Sequence, residues 1–196
     1  RVTMASQMSE ADETVSSLYS VKSEQATMLS FDTYNYLVHY FGQPQGSMSD
    51  DPNGTLGGDY EFIISSASAE RIELKGKKYG NRIVMKALTE DQTWKQYLTK
   101  IKKVEDDAFF YEYDLLMDGL YTGQMIRSNY TFIVTYYDEI GKVHQKTVPF
   151  MFTADGLRFH EPVTIDGQTM QNFVWKNELI SFVCTDEGAT GVKLAG

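Results

Sequence analysis

Apolar and polar side chains alternate strictly through much of this chain. Tyr60, Phe62 and Ile64 fall on one face, Ile72 and Leu74 sit between Arg71, Glu73 and Lys75, and Phe109, Tyr111, Tyr113, Leu115 and Met117 enclose Glu112 and Asp114. A period of two is that of a strand with one buried face. The pattern continues through Tyr130, Phe132, Val134 and Tyr136, then Val148, Phe150 and Phe152, then Leu157 and Phe159, Phe173 and Trp175, and Ile180 and Phe182. Turn formers separate these runs: Lys78-Tyr79-Gly80-Asn81, Asp118-Gly119, Asp138-Glu139-Ile140-Gly141, Asp155-Gly156, Asp166-Gly167 and Lys176-Asn177. Gly and Asn tolerate the positive φ that tight hairpins need. Short strands joined by tight turns predict antiparallel meanders.

Two segments switch to helical spacing. Thr89-Glu90-Asp91-Gln92 has the spacing of a capping box, and Trp94, Leu98, Ile101 and Val104 follow on one face. Acids lead and Lys100, Lys102 and Lys103 trail, matching the helix dipole. This predicts a helix over 90–106, with Trp94, Leu98 and Ile101 packed on a sheet. A shorter helix is expected from Asp32 to Gly42, with Tyr34, Leu37, Val38 and Phe41 as its apolar stripe. Gly42 to Gly58 holds five Gly and two Pro and is expected to be a long surface loop. The expected organisation is a first β meander over 1–89, carrying the short helix and the 43–58 loop, and a helix plus second meander over 90–196, together one compact unit.

Length changes little, since 196 residues suffice for an independent core. Charge changes more. The chain has a net charge of -9, but residues 71–103 hold ten Lys and Arg against three acids. The acidic body argues against a nucleic-acid partner, because phosphate contacts need clustered cations. The basic stretch, with Lys75, Lys77, Lys78, Arg82, Lys100, Lys102 and Lys103, is either the solvated face of a hairpin and a helix or a surface for an anionic partner.

Candidate chemistry is sparse. Cys184 has no cysteine partner and alternates with Ile180 and Phe182, as a core residue does. His39, His144 and His160 stand far apart without metal-ligand spacing, and no phosphate loop, dinucleotide fingerprint or nucleophile elbow occurs, so neither a metal nor a cofactor is expected. Glu112 and Asp114 project from one strand face about 7 Å apart, a glycosidase-like separation, but on the polar face where solvation explains them better. Asp50-Asp51-Pro52-Asn53-Gly54-Thr55 has oxygen donors without the EF-hand register and reads as a turn. No apolar run reaches the 18 or so residues of a membrane span. The remaining resource is aromatic, with 13 Tyr, 11 Phe and 2 Trp. Consecutive Tyr136 and Tyr137 must face opposite ways, and Tyr137 or Tyr136 with Trp175, Tyr79, Tyr97 and Tyr121 could present rings to a sugar or a partner protein. For a ligand-binding module the discriminating feature is exposed aromatics beside the 43–58 loop.

The strings Leu29-Ser30-Phe31-Asp32-Thr33-Tyr34-Asn35, Leu37-Val38-His39-Tyr40-Phe41, Gly57-Gly58-Asp59-Tyr60-Glu61-Phe62-Ile63, Leu74-Lys75-Gly76-Lys77-Lys78 and Gly80-Asn81-Arg82-Ile83 resemble a family of Bacteroides-type lipoproteins without a defined molecular function. Thr153-Ala154-Asp155-Gly156-Leu157-Arg158-Phe159 and Asn172-Phe173-Val174-Trp175 extend the resemblance. It implies an outer-membrane-associated lipoprotein of the cell envelope, encoded near SusC/SusD-type uptake pairs, with no catalytic residues to carry over; the expected role is non-enzymatic capture of a nutrient, a glycan or glycopeptide, the alternatives being a structural or interaction subunit of an uptake complex and, behind it, a glycan-active enzyme. It also implies an acylated cysteine and a first strand ahead of Arg1, so that Arg1-Val2-Thr3-Met4 would be the second arm of a hairpin. The expected fold is mainly β (α+β), with antiparallel meanders forming calycin-like half-barrels, similar to each other, and one bridging helix near 90–106.

Overall fold

The computed structural model describes residues 1–23, 25–44, 56–89, 91, 93–138 and 140–196. The fold is mainly β and divides into two compact units, Arg1–Lys95 and Gln96–Gly196.

The first unit contains the hairpin β1 (Val2–Met4) and β2 (Val15–Ser17), and an open antiparallel sheet. Its five strands are β3 (Ser20–Ser23), β4 (Thr27–Ser30), β5 (Glu61–Ala67), β6 (Arg71–Gly76) and β7 (Arg82–Lys86), each beside its sequence neighbour. Val2–Met4 is paired with the later Val15–Ser17. The buried centre is small: Phe31, Phe62 and Leu74, with Val2, Met4, Leu29, Val38, Ile64 and Ile72 packed around them. The short helix starts later than Asp32. Asp32 is engaged instead by Ser30 Oγ and Lys22 Nζ of the sheet, and the fully buried Asn35 caps α1 (Tyr36–His39) by accepting the Leu37 N–H at 3.1 Å. A 3₁₀ turn, Tyr40–Gly42, completes the segment.

The second unit is a closed barrel rather than a half-barrel, so the two meanders are not alike. Its strands are β8 (Glu112–Met117), β9 (Leu120–Ser128), β10 (Thr131–Tyr137), β11 (Val143–Phe152), β12 (Gly156–Ile165), β13 (Gln168–Lys176), β14 (Ser181–Cys184) and β15 (Val192–Ala195). Every neighbour is antiparallel, and β15 pairs with β8 to close the ring. Closure removes the edges that an open sheet exposes. Tight turns at Asp118-Gly119 and Asp166-Gly167 place both residues at positive φ, the geometry whose twist suits adjoining strands.

Alternation builds the barrel interior. Tyr113, Leu115, Phe132, Val134, Phe150, Phe152, Leu157, Phe159, Phe182 and Leu194 are all at most 1 % exposed. Phe132 stacks on Phe150 with centroids 4.2 Å apart and meets Tyr113 edge-on. The inside is therefore a packed core of rings, and the Tyr113 hydroxyl, which donates to Ala108 O, is pushed up to about 12 by burial. Cys184 is buried there too, its thiol raised to about 11 chiefly by burial.

The longer helix, α2 (Trp94–Asp107), buries Leu98, Ile101 and Val104, but Trp94 is exposed, contrary to expectation. Of the expected cap, Glu90 and Gln92 lie outside the described residues. Within the second unit, Glu105 of α2 accepts from Arg127 Nη2 at 2.9 Å, and the Arg127 guanidinium lies 5.0 Å from the Phe152 ring centroid. Cation–π contact lets this nearly buried charge sit against the aromatic core. Phe109 and Tyr111 precede β8 and are exposed, so the strand begins after the alternation that predicts it.

Asp186 stitches β13 from the loop after β14. Its Oδ2 accepts the N–H groups of Gln171 (2.5 Å) and Asn172 (2.7 Å), and Oδ1 accepts from Asn172 Nδ2 (2.6 Å). Burial alone would raise this carboxyl, but those donors outweigh it and hold it below its ordinary value of 3.8. A carboxylate with a depressed folded pKa stabilises above the unfolded pKa and loses that contribution as pH falls through the folded one. The barrel should thus lose thermal stability below about pH 4, and Asp186→Asn should lower the neutral-pH midpoint and flatten the acid decline. Melts followed by circular dichroism from pH 7 to 3 read both, and an unchanged slope in the variant would exclude this carboxylate as the source.

Candidate functional site

The strings that carry the resemblance converge in the first unit. Asp59, just ahead of β5, is nearly buried, and its Oδ1 accepts the backbone N–H of Lys78 at 2.7 Å and of Tyr79 at 3.1 Å. Asn81 Nδ2 donates to Oδ2 at 2.9 Å, and the amide reaches Gly57 O as well. One carboxylate therefore holds the whole turn between β6 and β7. Gly76 N–H donates to Asn81 O at 2.7 Å, and Lys77 N–H donates to Glu61 O at 2.9 Å, completing the loop. Gly76 must be glycine because a Cβ there would overlap Asp59 Oδ2. Gly58 lies against Phe41 in the same way, with its N–H donating to Phe41 O at 2.9 Å.

This clamp shapes a cleft of about 250 Å³ lined by Gly42, Gly58, Asp59, Tyr60, Glu61, Lys77 and Lys78. One aromatic ring, that of Tyr60, lines it, backed by two others. His39 stacks on Tyr60 (centroids 5.0 Å, planes 18° apart), and Tyr34 leans on His39 at 5.4 Å. Tyr60 is 45 % exposed and Tyr34 60 %, so the alternation that places Tyr60 inward misjudges it. It sits one residue before β5 and escapes the pleat. Glu61 and Lys77 form an ion pair at 3.0 Å, both partly exposed. The exposed Tyr60 ring, backed by His39 and beside a carboxylate and two ammonium groups, can cover the C–H face of a sugar while those groups bond its hydroxyls.

The sequence-derived candidates are scattered by comparison. Tyr79 sits half-buried on the hairpin with Lys78 Nζ 4.7 Å over its ring, next to the cleft. Tyr136 is 8 % exposed and stacks on His144 inside the barrel, where no ligand can reach its face. Tyr137 is its outward neighbour, 49 % exposed, and the nearby Tyr121 phenol is raised above its ordinary value by partial burial and then by Asp114, Tyr137 and Glu112. Trp175 is half-buried against Phe182 at 4.8 Å and donates its indole N–H to Asn177 Oδ1, so its ring is occupied. Glu112 accepts from Gln124 on the barrel exterior.

The basic stretch is divided between the units. On the hairpin, Lys77 pairs with Glu61, Arg82 lies 3.8 Å from Glu73, and Lys75 is exposed. On α2, Lys103 pairs with Asp107 at 2.6 Å, Lys100 is exposed and Lys102 is half-buried. The Asp50–Thr55 stretch and most of the 43–58 loop lie outside the described residues. Among the described residues no group of three His, Cys, Asp or Glu is placed to hold a metal ion, and no helix is long and apolar enough to cross a membrane.

Sequence reasoning named neither Asp59 nor His39 as site residues. The signal was present as three glycine-containing strings, Gly57-Gly58-Asp59-Tyr60, Gly76-Lys77-Lys78 and Gly80-Asn81, whose meeting requires the fold. No curated protein and no solved structure matches the chain. One family does match, over a stretch that includes the complete cleft and the barrel through β13 but not β14 and β15. That stretch is residues 1–177, and the chain accordingly belongs to DUF4302, a family described as a domain of unknown function.

Proposed function

We propose that this protein is a non-enzymatic lipoprotein of the cell envelope that captures a glycan or glycopeptide in the Tyr60 cleft and assists SusC/SusD-type uptake proteins. The observation that carries the ligand class is the exposed Tyr60 ring, stacked on His39, beside Glu61, Lys77 and Lys78. Exposed aromatics beside the 43–58 loop are the feature that separates a binding module from a purely structural one. The envelope setting and the uptake partners rest on the resemblance of the motif strings to outer-membrane lipoproteins. The packed barrel supports the reading indirectly, because its interior is filled by rings and the ligand must be met elsewhere.

A panel of oligosaccharides and glycopeptides, titrated calorimetrically, tests the reading. Tyr60→Ala should weaken the best ligand about tenfold, equivalent to about 1.4 kcal/mol, while Tyr137→Ala should leave it unchanged. Silence across the panel, or full affinity in Tyr60→Ala, would remove the cleft as a glycan site. A second reading, an interaction subunit of an uptake complex, is favoured by the exposure of β7.

A further inference from the structure

The edge strand β7 departs from every rule that governs the other strands. All five residues, Arg82-Ile83-Val84-Met85-Lys86, are exposed, although three of them are large and apolar. It pairs with β6 on one side, and among the described residues no strand pairs with its other side. The opposite edge of the sheet, β3, is short and carries two serines, with Lys22 bonded to Asp32. An apolar strand with unpaired backbone groups is a template for another strand.

Charge selects the occupant. Arg82, Val84 and Lys86 share one face of β7 and Ile83 and Met85 the other, by the period of two. A second copy of β7 pairing antiparallel about Val84 would set Arg82 opposite Lys86 of the other copy, adding two more cations to a face where β6 already places Lys75 opposite Arg82 and Arg71 opposite Lys86. A strand with acids at both ends of an apolar centre is matched instead. We propose that β7 is a docking edge for an extended segment of a partner protein with the pattern acid–apolar–apolar–apolar–acid, added antiparallel to the sheet. The acids pair with Arg82 and Lys86, and the apolar residues cover Ile83, Val84 and Met85. With Arg71 and Lys75 of β6 beside Lys86 and Arg82, this face gathers four cations around Glu73, and an acidic strand answers that charge.

The experiment uses the whole chain and two fluorescein-labelled peptides, Gly-Ser-Glu-Val-Val-Val-Glu-Ser-Gly and the same peptide with Lys in place of both Glu, read by fluorescence anisotropy at low salt. The acidic peptide should bind saturably and at least about tenfold more tightly than the basic one, and its affinity should fall as salt rises. Val84→Pro, which deletes an N–H from the edge, should abolish binding. Since that variant can disturb the sheet, the decisive protein is Arg82→Glu/Lys86→Glu, which should reverse the peptide preference. Lys86→Glu alone, whose register partner on β6 is Arg71, should show half of the reversal with an unaltered far-ultraviolet spectrum. No binding of either peptide, equal binding of both, or an unreversed preference in the charge-swapped protein would overturn the proposal. So would a wild-type dimer in sedimentation that dissociates in Val84→Pro, which would make a second copy the occupant. None of these outcomes depends on the Tyr60 cleft.

Discussion

Phe132→Ala should destabilise the barrel by about 4 kcal/mol, the range for truncating a fully buried ring. Phe132 is 1 % exposed, lies flat on Phe150 and meets Tyr113 and Phe159 at their edges. Its removal leaves a hole bounded by rings held on three other strands, β8, β11 and β12, which cannot collapse together without breaking the register that closes the ring. For a unit of this size the loss corresponds to a fall in melting midpoint on the order of 20 °C. Ile133, the next residue on β10, faces outward and is partly exposed, and Ile133→Ala should cost less than about 1 kcal/mol. Chemical denaturation of the two variants measures the contrast. A larger loss in Ile133→Ala than in Phe132→Ala would mean that the inside and outside of β10 have been exchanged, the signature of a one-residue register error.

The second large effect is expected at Asp59. Its carboxylate receives two backbone N–H groups and the Asn81 amide in a nearly buried position. Asp59→Ala strands these donors and should destabilise the first unit by about 3 kcal/mol, since hydrogen bonds to charged groups are worth roughly 1.5–3 kcal/mol each and water re-solvates part of the loss. The effect should extend to binding, because the hairpin that Asp59 holds supplies Lys77 and Lys78 to the cleft. Asp59→Asn keeps the Oδ1 bonds to Lys78 and Tyr79 but turns a donor toward Asn81, and should fall about midway. Gly76→Ala approaches the same clamp from the other side, driving a methyl group into Asp59 Oδ2, and should reproduce the loss. Urea titration of the three variants gives the order Asp59→Ala, Gly76→Ala, Asp59→Asn from most to least destabilised. A wild-type midpoint in Asp59→Ala would show that the hairpin is held by β6–β7 pairing alone.

The barrel was the most legible part of the sequence because its inward positions are large and its outward ones polar. Phe132, Val134 and Tyr136, or Val148, Phe150 and Phe152, announce both strand and facing. β9 escaped the same reading for a physical reason. One of its inward positions is Gly123, where a Cβ would overlap Thr135 O, and a bulge between Leu115 and Leu116 in its pairing with β8 breaks the count. β2, β3 and β4 are three or four residues long and half serine or threonine, so only their pairing reveals them as strands. Tyr60 shows the limit from the other direction, since period-two reasoning assigns it to the core and one residue of displacement from β5 delivers it to solvent.

The cleft was legible only as an anomaly. Paired glycines ahead of an aspartate, and a lysine-rich hairpin with glycines at both ends, mark backbone that must approach something closely. What they approach is set by contacts between residues 34–42, 57–61 and 76–81, and such separations leave no local periodicity. Two of the aromatic candidates turn inward for a related reason. Tyr136 and Trp175 are aromatic because a closed barrel needs large inward side chains, and that demand is indistinguishable in sequence from a sugar platform.

On the proposed function, ligand binds at the clamp-shaped cleft of the first unit and not within the barrel. Backbone amide chemical-shift mapping of the uniformly ¹⁵N-labelled chain, titrated with the strongest ligand from the glycan panel, tests it most directly. The account predicts saturable shifts concentrated at Gly42, Gly58–Glu61 and Lys77–Asn81, with the amides of Phe132, Phe150 and Phe182 unmoved. Shifts centred on the barrel strands, with the Asp59 hairpin silent, would contradict it.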